Sequence, residues 1–128
     1  MSARSALLGA IVFAWMPEQE NPDLPGSKFR PVLIVGHDAN RGLVHVVYGT
    51  SQRVDREGRG EIVFGPHEVP GLSKSTKFCF RRSCWIPVKP SYFSQTRGGK
   101  RLAVVGRIPD IRACDVMDRL LEAHPELS

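Results

Sequence analysis

The chain has 128 residues, enough for one domain with a single hydrophobic core. Hydrophobic residues make up 41% and charged residues 24%, which excludes collagen-like, mucin-like and wholly disordered chains. The net charge of +5 is unevenly spread: residues 22–107 carry 15 Lys/Arg against six Asp/Glu, whereas residues 108–128 carry two against five. Thirteen of the 18 basic residues are Arg, which favours a polyanionic partner.

Short apolar runs between turn residues predict a series of β-strands in chain order. The predicted strands are Leu8–Met16, Pro31–Val35, Leu43–Tyr48, Glu61–Phe64, the mixed segment Lys77–Val88, and Leu102–Val105. A proline-rich polar loop, residues 17–29, follows the first of them and is long enough to be functional. The pair Gly98-Gly99 predicts a hairpin before the last strand.

The C-terminal segment changes to a helical period. Ile111, Cys114, Met117 and Leu121 form one apolar stripe, which predicts an amphipathic helix packed on the strands by that stripe. Asp110 is the predicted N-cap and Pro125 ends the helix. The strands and the helix together predict a small, strongly bent antiparallel sheet or barrel with one helix packed on it.

The first apolar run and the cysteines bear on location. Arg4 followed by the run Ala6–Met16 resembles the start of a secretory signal, but the run is too short to span a bilayer and lacks a small-residue cleavage site. Three cysteines form neither an even set nor a CxxC motif. We therefore expect a buried first strand, a reducing cytoplasmic location, and no metal or other cofactor.

Three segments occur in a characteristic order: KFRPVLIV at residues 28–35, Asn40-Arg41, and Gly49-Thr50-Ser51-Gln52. This set resembles the MazF/PemK/Kid toxin family, in which a strand ending in Pro and a long loop precede an Arg-Pro-hydrophobic strand, and the next strand ends in a Thr-containing loop. Residues 97–102 resemble the hairpin of Kid-type members, and the terminal helix also fits. The chain is identified as a divergent member of that family, which belongs to type II toxin–antitoxin systems.

The resemblance implies a mainly β fold with a C-terminal α-helix, as one small SH3-like antiparallel barrel over residues 1–128. It implies a homodimer and a metal-independent endoribonuclease that cuts single-stranded RNA. An acidic antitoxin protein is the implied inhibitor. The helix stripe is expected to pack on the barrel, so we expect the dimer contact to come mainly from strand and hairpin surfaces.

Arg30 and Thr50 match the Arg and Thr that family members place at the cleavage site. Arg30 is expected to stabilise charge on the phosphate, and Thr50 either to hold a phosphate or 2′-hydroxyl or only to stabilise its turn. The expected RNA-binding residues are Ser51, Gln52, Arg53, Arg56, Arg81, Arg97 and Lys100. Phe80 is expected in the core, whereas Tyr92-Phe93 fits either the core or the stacking of bases.

Family members carry an Asp-Gln pair on the strand before the last hairpin, where Kid-type enzymes have their proposed base. This chain has no acidic residue between Glu68 and Asp110, so the general base has no candidate, and none of the four histidines is chosen. Two alternatives to the nuclease stay open: a non-catalytic RNA- or protein-binding module on the same barrel, and a gyrase poison of CcdB type. The second ranks lower because the chain ends Glu126-Leu127-Ser128 instead of Trp-Gly-Ile.

Overall fold

The computed structural model describes residues 7–93 and 104–127, which contain a six-stranded antiparallel sheet and two α-helices. The strands are β1 (Ala10–Trp15), β2 (Phe29–Asp38), β3 (Leu43–Thr50), β4 (Glu61–Phe64), β5 (Thr76–Pro87) and β6 (Val104–Arg107). The helices are α1 (Pro90–Phe93) and α2 (Ala113–Ala123), and 3-10 turns at Asp110–Arg112 and Pro125–Leu127 flank α2. The predicted class, mainly β with a C-terminal helix, is confirmed.

The sheet has the order β4-β5-β3-β2-β1-β6, so β1, β2 and β3 form a meander at its centre. Strand β2 runs beyond the predicted Val35 because His37 and Asp38 still pair with Val44 and Leu43 next to the turn. The other predicted strands are found with modest shifts at their ends. The predicted hairpin at Gly98-Gly99 lies outside the described residues.

Both faces of the sheet are covered, which explains why β1 and β2 contain continuous apolar runs whose residues alternate between two cores. One face packs against α2 and the segment 65–72, and its core consists of Ile11, Leu33, Val47, Ile62, Phe64, Val69, Leu72, Phe78, Phe80 and Val116. The other face packs against α1, and its core consists of Val12, Ala14, Val32, Ile34, Val44, Val46, Ile86, Tyr92 and Phe93. The burial of Phe80 confirms its predicted place in the core.

The two edge strands of the described sheet, β4 and β6, approach each other through the segment after β4. Gly71 lies so close to β6 that a Cβ atom there would overlap the carbonyl oxygen of Val105. A Cβ atom on Gly106 would lie 2.5 Å from the side chain of Val69. Bulges in the pairing of β1, β2 and β3 bend the sheet further. The strands therefore curve into a barrel-like shape that packing, and not a β4–β6 ladder, completes.

Helix α2 packs with a different face from the one predicted. Val116 is buried, and Leu120 and Ala123 pack against the same core. In the predicted stripe, Ile111 is 87% and Met117 53% exposed, so that stripe is wrong. Val116, Leu120 and Ala123 have the same helical spacing as the predicted stripe, and α2 packs on β4 and β5 with this second series.

The start of α2 also differs from the prediction. Asp110 lies inside the 3-10 turn, and Arg112 precedes the first α-helical residue. Arg112 is held at this junction by Glu68 Oε2 at 2.6 Å and Asp115 Oδ2 at 2.8 Å. The start of α2 is therefore fixed by the pairs of Arg112 with Glu68 and Asp115, and not by Asp110 as N-cap. None of the helices in residues 7–93 and 104–127 has the length and apolar character needed to cross a membrane.

Candidate functional site

Two guanidinium groups from different strands lie over the ring of Tyr48. The Cζ atom of Arg82 is 3.9 Å from the ring centroid, and that of Arg30 is 5.1 Å from it. Tyr48 belongs to β3, which lies between β2 with Arg30 and β5 with Arg82. The face of an aromatic ring attracts cations, and guanidinium groups match phosphate oxygens in geometry. We call these three side chains the Tyr48 centre.

Arg82 reaches this position through an irregularity in β5. Val47 pairs with Ser83, whereas the next residue, Tyr48, pairs with Cys79. Three additional residues, 80–82, therefore lie between two successive pairs, and Arg82 is the last of them. Bulges of this kind redirect side chains away from their regular cross-strand positions. The irregularity explains how Arg82 lies over the ring of Tyr48.

A cleft of about 270 Å³, here cleft A, opens beside the Tyr48 centre. It is lined by the three side chains of the centre and by Met16, Pro17, Glu18, Gln19, Glu20, Ser27 and Lys28. The hydroxyl of Ser27 donates a hydrogen bond of 2.8 Å to Glu18 Oε1, which joins the two ends of the loop between β1 and β2. Cleft A thus brings carboxylates to the same space as two guanidinium groups, a combination suited to acid–base chemistry at a phosphate.

A second cleft of about 300 Å³, here cleft B, brings Arg30 together with Thr50 and Ser51. Arg30 also lines cleft A, so this residue borders both clefts. The hydroxyl of Thr50 accepts a hydrogen bond of 3.2 Å from the backbone N–H of Gln52. This bond gives Thr50 the turn-stabilising role, and its hydroxyl hydrogen can still donate to a ligand.

The contact of β2 with β3 between Arg30 and Thr50 depends on Gly49. A Cβ atom at Gly49 would lie 2.5 Å from the carbonyl oxygen of Pro31 and 2.8 Å from the Phe78 ring. Any side chain would therefore push the strands apart or displace a buried ring. Glycine at this position keeps the two site-bearing strands at their observed separation.

The segment 51–60, here the basic loop, follows Thr50 with three exposed arginines, Arg53, Arg56 and Arg59. Its far end is fixed by two carboxylates: Glu61 Oε1 accepts from the N–H of Gly58 at 2.7 Å, and Glu57 Oε2 accepts from the N–H of Val63 at 2.7 Å. The Nζ atom of buried Lys77 lies 3.3 Å from Glu61 Oε1. The Gly58 N–H and then Lys77 hold the pKa of Glu61 below its usual value.

The other predicted RNA-binding residues have different positions. Arg81 lines a third cleft, of about 290 Å³, together with Glu18 and Arg82. Gln52, Arg53 and Arg56 are exposed on the basic loop. Arg97 and Lys100 lie outside the described residues. In the part of the chain that is described, no three His, Cys, Asp or Glu side chains cluster as metal ligands would.

The stacking role considered for Tyr92 and Phe93 is wrong. Their side chains are only 8% and 3% exposed, because α1 packs them against the sheet. The hydroxyl of Tyr92 donates to the carbonyl oxygen of Asp23 at 3.3 Å, which ties α1 to the loop that covers cleft A. The aromatic ring next to the cations is Tyr48, which the sequence indicated only as a strand residue.

The sequence matches no protein-family model and no curated protein. Similar solved structures do exist. An endoribonuclease in complex with its cognate antitoxin, from a mycobacterial species, has a TM-score of 0.60 and 19% identity over 93% of this chain and 94% of that one. The Mycobacterium tuberculosis toxin MazF-mt6 has a TM-score of 0.63 and 18% identity over 91% of this chain and 96% of that one.

The MazE–MazF complex from Deinococcus radiodurans has a TM-score of 0.57 and 15% identity over 93% of this chain and 94% of that one. The similarity therefore extends over nearly the whole of each chain. Identities this low establish the fold and leave the site residues to be argued from their own geometry. The resemblance found in the sequence is confirmed at the level of structure: this protein has the fold of MazF toxins.

Proposed function

We propose that this protein is a MazF-type toxin: a metal-independent endoribonuclease that cleaves single-stranded RNA and inhibits growth as one half of a toxin–antitoxin pair. The observation that carries the proposal is Arg30, which shares the ring of Tyr48 with Arg82 and borders clefts A and B. The fold shared with MazF toxins supports it.

Cleavage of RNA without a metal ion proceeds by attack of a ribose 2′-oxygen on the adjacent phosphorus. A bond from phosphorus to the 2′-oxygen forms, the bond to the 5′-oxygen of the next nucleotide breaks, and a 2′,3′-cyclic phosphate results. Negative charge grows on the non-bridging oxygens in the transition state. Preorganised cations at that position usually supply the largest catalytic contribution. We assign this role to Arg30 and Arg82, and donation to a phosphate oxygen to Thr50.

The proton of the 2′-hydroxyl needs an acceptor, and arginine remains protonated. Cleft A contains the carboxylates of Glu18 and Glu20. We assign the proton acceptor to Glu18, because Ser27 holds its carboxylate across the loop at 2.8 Å. Lys28 lines the same cleft and is the ammonium group available to protonate the leaving 5′-oxygen. The loop between β1 and β2 thus supplies the acid–base groups that the end of β5 lacks.

The decisive experiment incubates purified protein with a long RNA in EDTA and maps the new ends. We expect cuts in single-stranded regions, 2′,3′-cyclic phosphate and 5′-hydroxyl ends, and no cleavage by an Arg30→Ala, Arg82→Ala double variant. Binding of RNA without cutting would favour the non-catalytic module instead. Cleavage restored only by a divalent ion would contradict metal independence.

The basic loop and Arg81 are proposed to contact RNA phosphates on either side of the clefts. We therefore expect RNA affinity to fall steeply with salt, because bound phosphates release counterions. Arg53→Ala with Arg56→Ala should weaken binding to all sequences alike and reduce the log–log salt slope by about one unit for each arginine–phosphate pair removed. Arg41→Ala, a change at an exposed arginine in the β2–β3 turn, is the matched control. An unchanged slope in the double variant would place RNA elsewhere.

The proposed partners are a second copy of the chain and an acidic antitoxin in the cytoplasm. A positive groove steers an acidic peptide to the surface that RNA needs. Ile111 in the 3-10 turn before α2 and Met117 on α2 are both exposed, which supports a dimer contact that includes this region besides the strand and hairpin surfaces. Light scattering should give a dimer at micromolar concentration, and an acidic antitoxin peptide should displace RNA. A monomer, or simultaneous binding of peptide and RNA, would contradict the respective claim.

A further inference from the structure

His124, the C-cap residue that follows α2, contacts the irregular segment of β5 that carries Arg82. His124 Nε2 lies 2.9 Å from the carbonyl oxygen of Phe80 and 3.3 Å from Ser83 Oγ. A carbonyl oxygen can only accept a hydrogen bond, so Nε2 carries the hydrogen in this contact. Phe80 and Ser83 are the two ends of the excursion that contains Arg81 and Arg82. The Nε2 atom of His124 is therefore in contact with both ends of that excursion.

The same turn of α2 makes a second connection to this segment. The N–H of Phe80 donates to the carbonyl oxygen of Gly60 at 2.8 Å, and the N–H of Gly60 donates to Glu122 Oε1 at 2.9 Å. Gly60 has a φ of +75°, and a Cβ atom there would lie 3.2 Å from the Cβ of Ala123. The positive φ and the close approach to α2 together favour glycine at this position. Both backbone groups of Phe80 are tied, directly or through Gly60, to the last turn of α2.

Three additional residues between successive pairs interrupt the regular pairing of β5 with β3 at residues 80–82. An exposed arginine on such a segment has many accessible rotamers, and ordering it costs conformational entropy. The excursion has to be held for Arg82 to remain 3.9 Å from the Tyr48 ring. His124 is the side chain in contact with both of its ends.

We propose that His124 is a positioning residue for Arg82: it fixes the β5 excursion so that the Arg82 guanidinium stays over Tyr48. Its effect on RNA cleavage rests on the proposed function, whereas its effect on the Arg82–Tyr48 contact does not. His124 lines neither cleft A nor cleft B, so it acts through the backbone of β5 and not on the substrate.

The groups around the imidazole show what the contact requires. Glu126 Oε2 lies 3.4 Å from Nδ1, and the ring of His45 on β3, stacked on Trp85 of β5, is 6.5 Å away. Burial, and then the charge of His124, lower the pKa of His45 below its usual value. The Nε2 hydrogen is present in the imidazolium and in one neutral tautomer. A neutral donor of similar length should therefore replace His124.

The test compares His124→Ala with His124→Gln, whose amide can donate to the Phe80 carbonyl. The readout is the Arg82 Nε–Hε signal in NMR spectra, which the Tyr48 ring shifts upfield and which an Arg82→Lys variant assigns. We expect His124→Ala to lose this upfield shift and His124→Gln to keep most of it. Glu126→Gln, a change on the other side of the imidazole, should leave the signal in place. Denaturant titration confirms that each variant is folded.

An unchanged Arg82 signal in folded His124→Ala would overturn the proposal. If that variant does not fold, His124→Asn, too short to reach Phe80, takes its place with the same two outcomes. On RNA we expect the cleavage rate constant of His124→Ala to fall about tenfold, with rescue by His124→Gln. If the wild-type protein cleaves no RNA, the proposed function fails while the NMR comparison still decides the role of His124.

Discussion

Replacing Arg30 with Ala is expected to lower the rate constant of RNA cleavage by about 10²- to 10³-fold, the usual cost of removing one preorganised donor at a developing negative charge. Arg30 lines both clefts, whereas Arg82 lines cleft A and not cleft B, so Arg82 does not replace Arg30 beside Thr50. The fold should be nearly unaffected, because the side chain is only partly buried at the start of β2. Single-turnover cleavage of a defined oligonucleotide measures the effect.

Two further variants sharpen this test. Arg41→Ala removes the same charge at the opposite end of the β2–β3 hairpin, where Arg41 pairs with Asp38 at 3.7 Å, and should leave cleavage unchanged. Glu18→Gln should also lower the rate, because an amide cannot accept the proton. Full cleavage by a folded Arg30→Ala protein would remove Arg30 from the mechanism.

Among the variants named here, Glu61→Ala is expected to lower stability most, by about 2–4 kcal/mol in the free energy of unfolding. The variant leaves the ammonium group of Lys77 buried, with 8% of its side chain exposed, and without its carboxylate. It also removes the acceptor for the N–H of Gly58, which fixes the basic loop. The expected loss is below that of a fully buried pair because Glu61 retains some contact with water. Urea denaturation measures it.

The control for Glu61→Ala is the double variant with Lys77→Met, which removes the unpaired charge and should recover part of the stability. The pH dependence gives an independent check. The pKa of Glu61 is lowered in the folded protein from its usual 4.5, so its contribution is complete above about pH 4.5 and is lost as the pH falls through the folded value. Equal stability of Glu61→Ala and the wild-type protein at pH 7 would contradict this account.

The register between β2 and β3 shows why the sequence could not place Tyr48 next to Arg30. Regular pairing outward from the turn, in which Leu43 pairs with Asp38 and Val44 with His37, would set Tyr48 opposite Leu33. A shift between Ile34 and Gly36 instead sets Tyr48 opposite Val32. Side chains alternate between the faces, so this single shift moves Tyr48 to the face of Arg30. Gly36 lies at the shift, and a glycine inside a strand is typical of a bulge, but the predicted strand ended at Val35 and did not include it.

The strands and the terminal helix could be predicted from the chain alone, because apolar periodicity and turn residues are local signals. The nearness of Arg30 and Thr50 along the hairpin could be predicted for the same reason, since both lie at the open end of one hairpin whose turn is recognisable. Their common face depends, as for Tyr48, on the register shift between Ile34 and Gly36. Three other features follow from tertiary contacts: the phase of α2, the burial of Tyr92, and the meeting of Arg82 with Tyr48. They depend on which of its two apolar series α2 packs on the sheet, on the packing of a short helix, and on a three-residue excursion in β5. Such features arise from contacts between residues far apart in the chain, which local patterns do not encode.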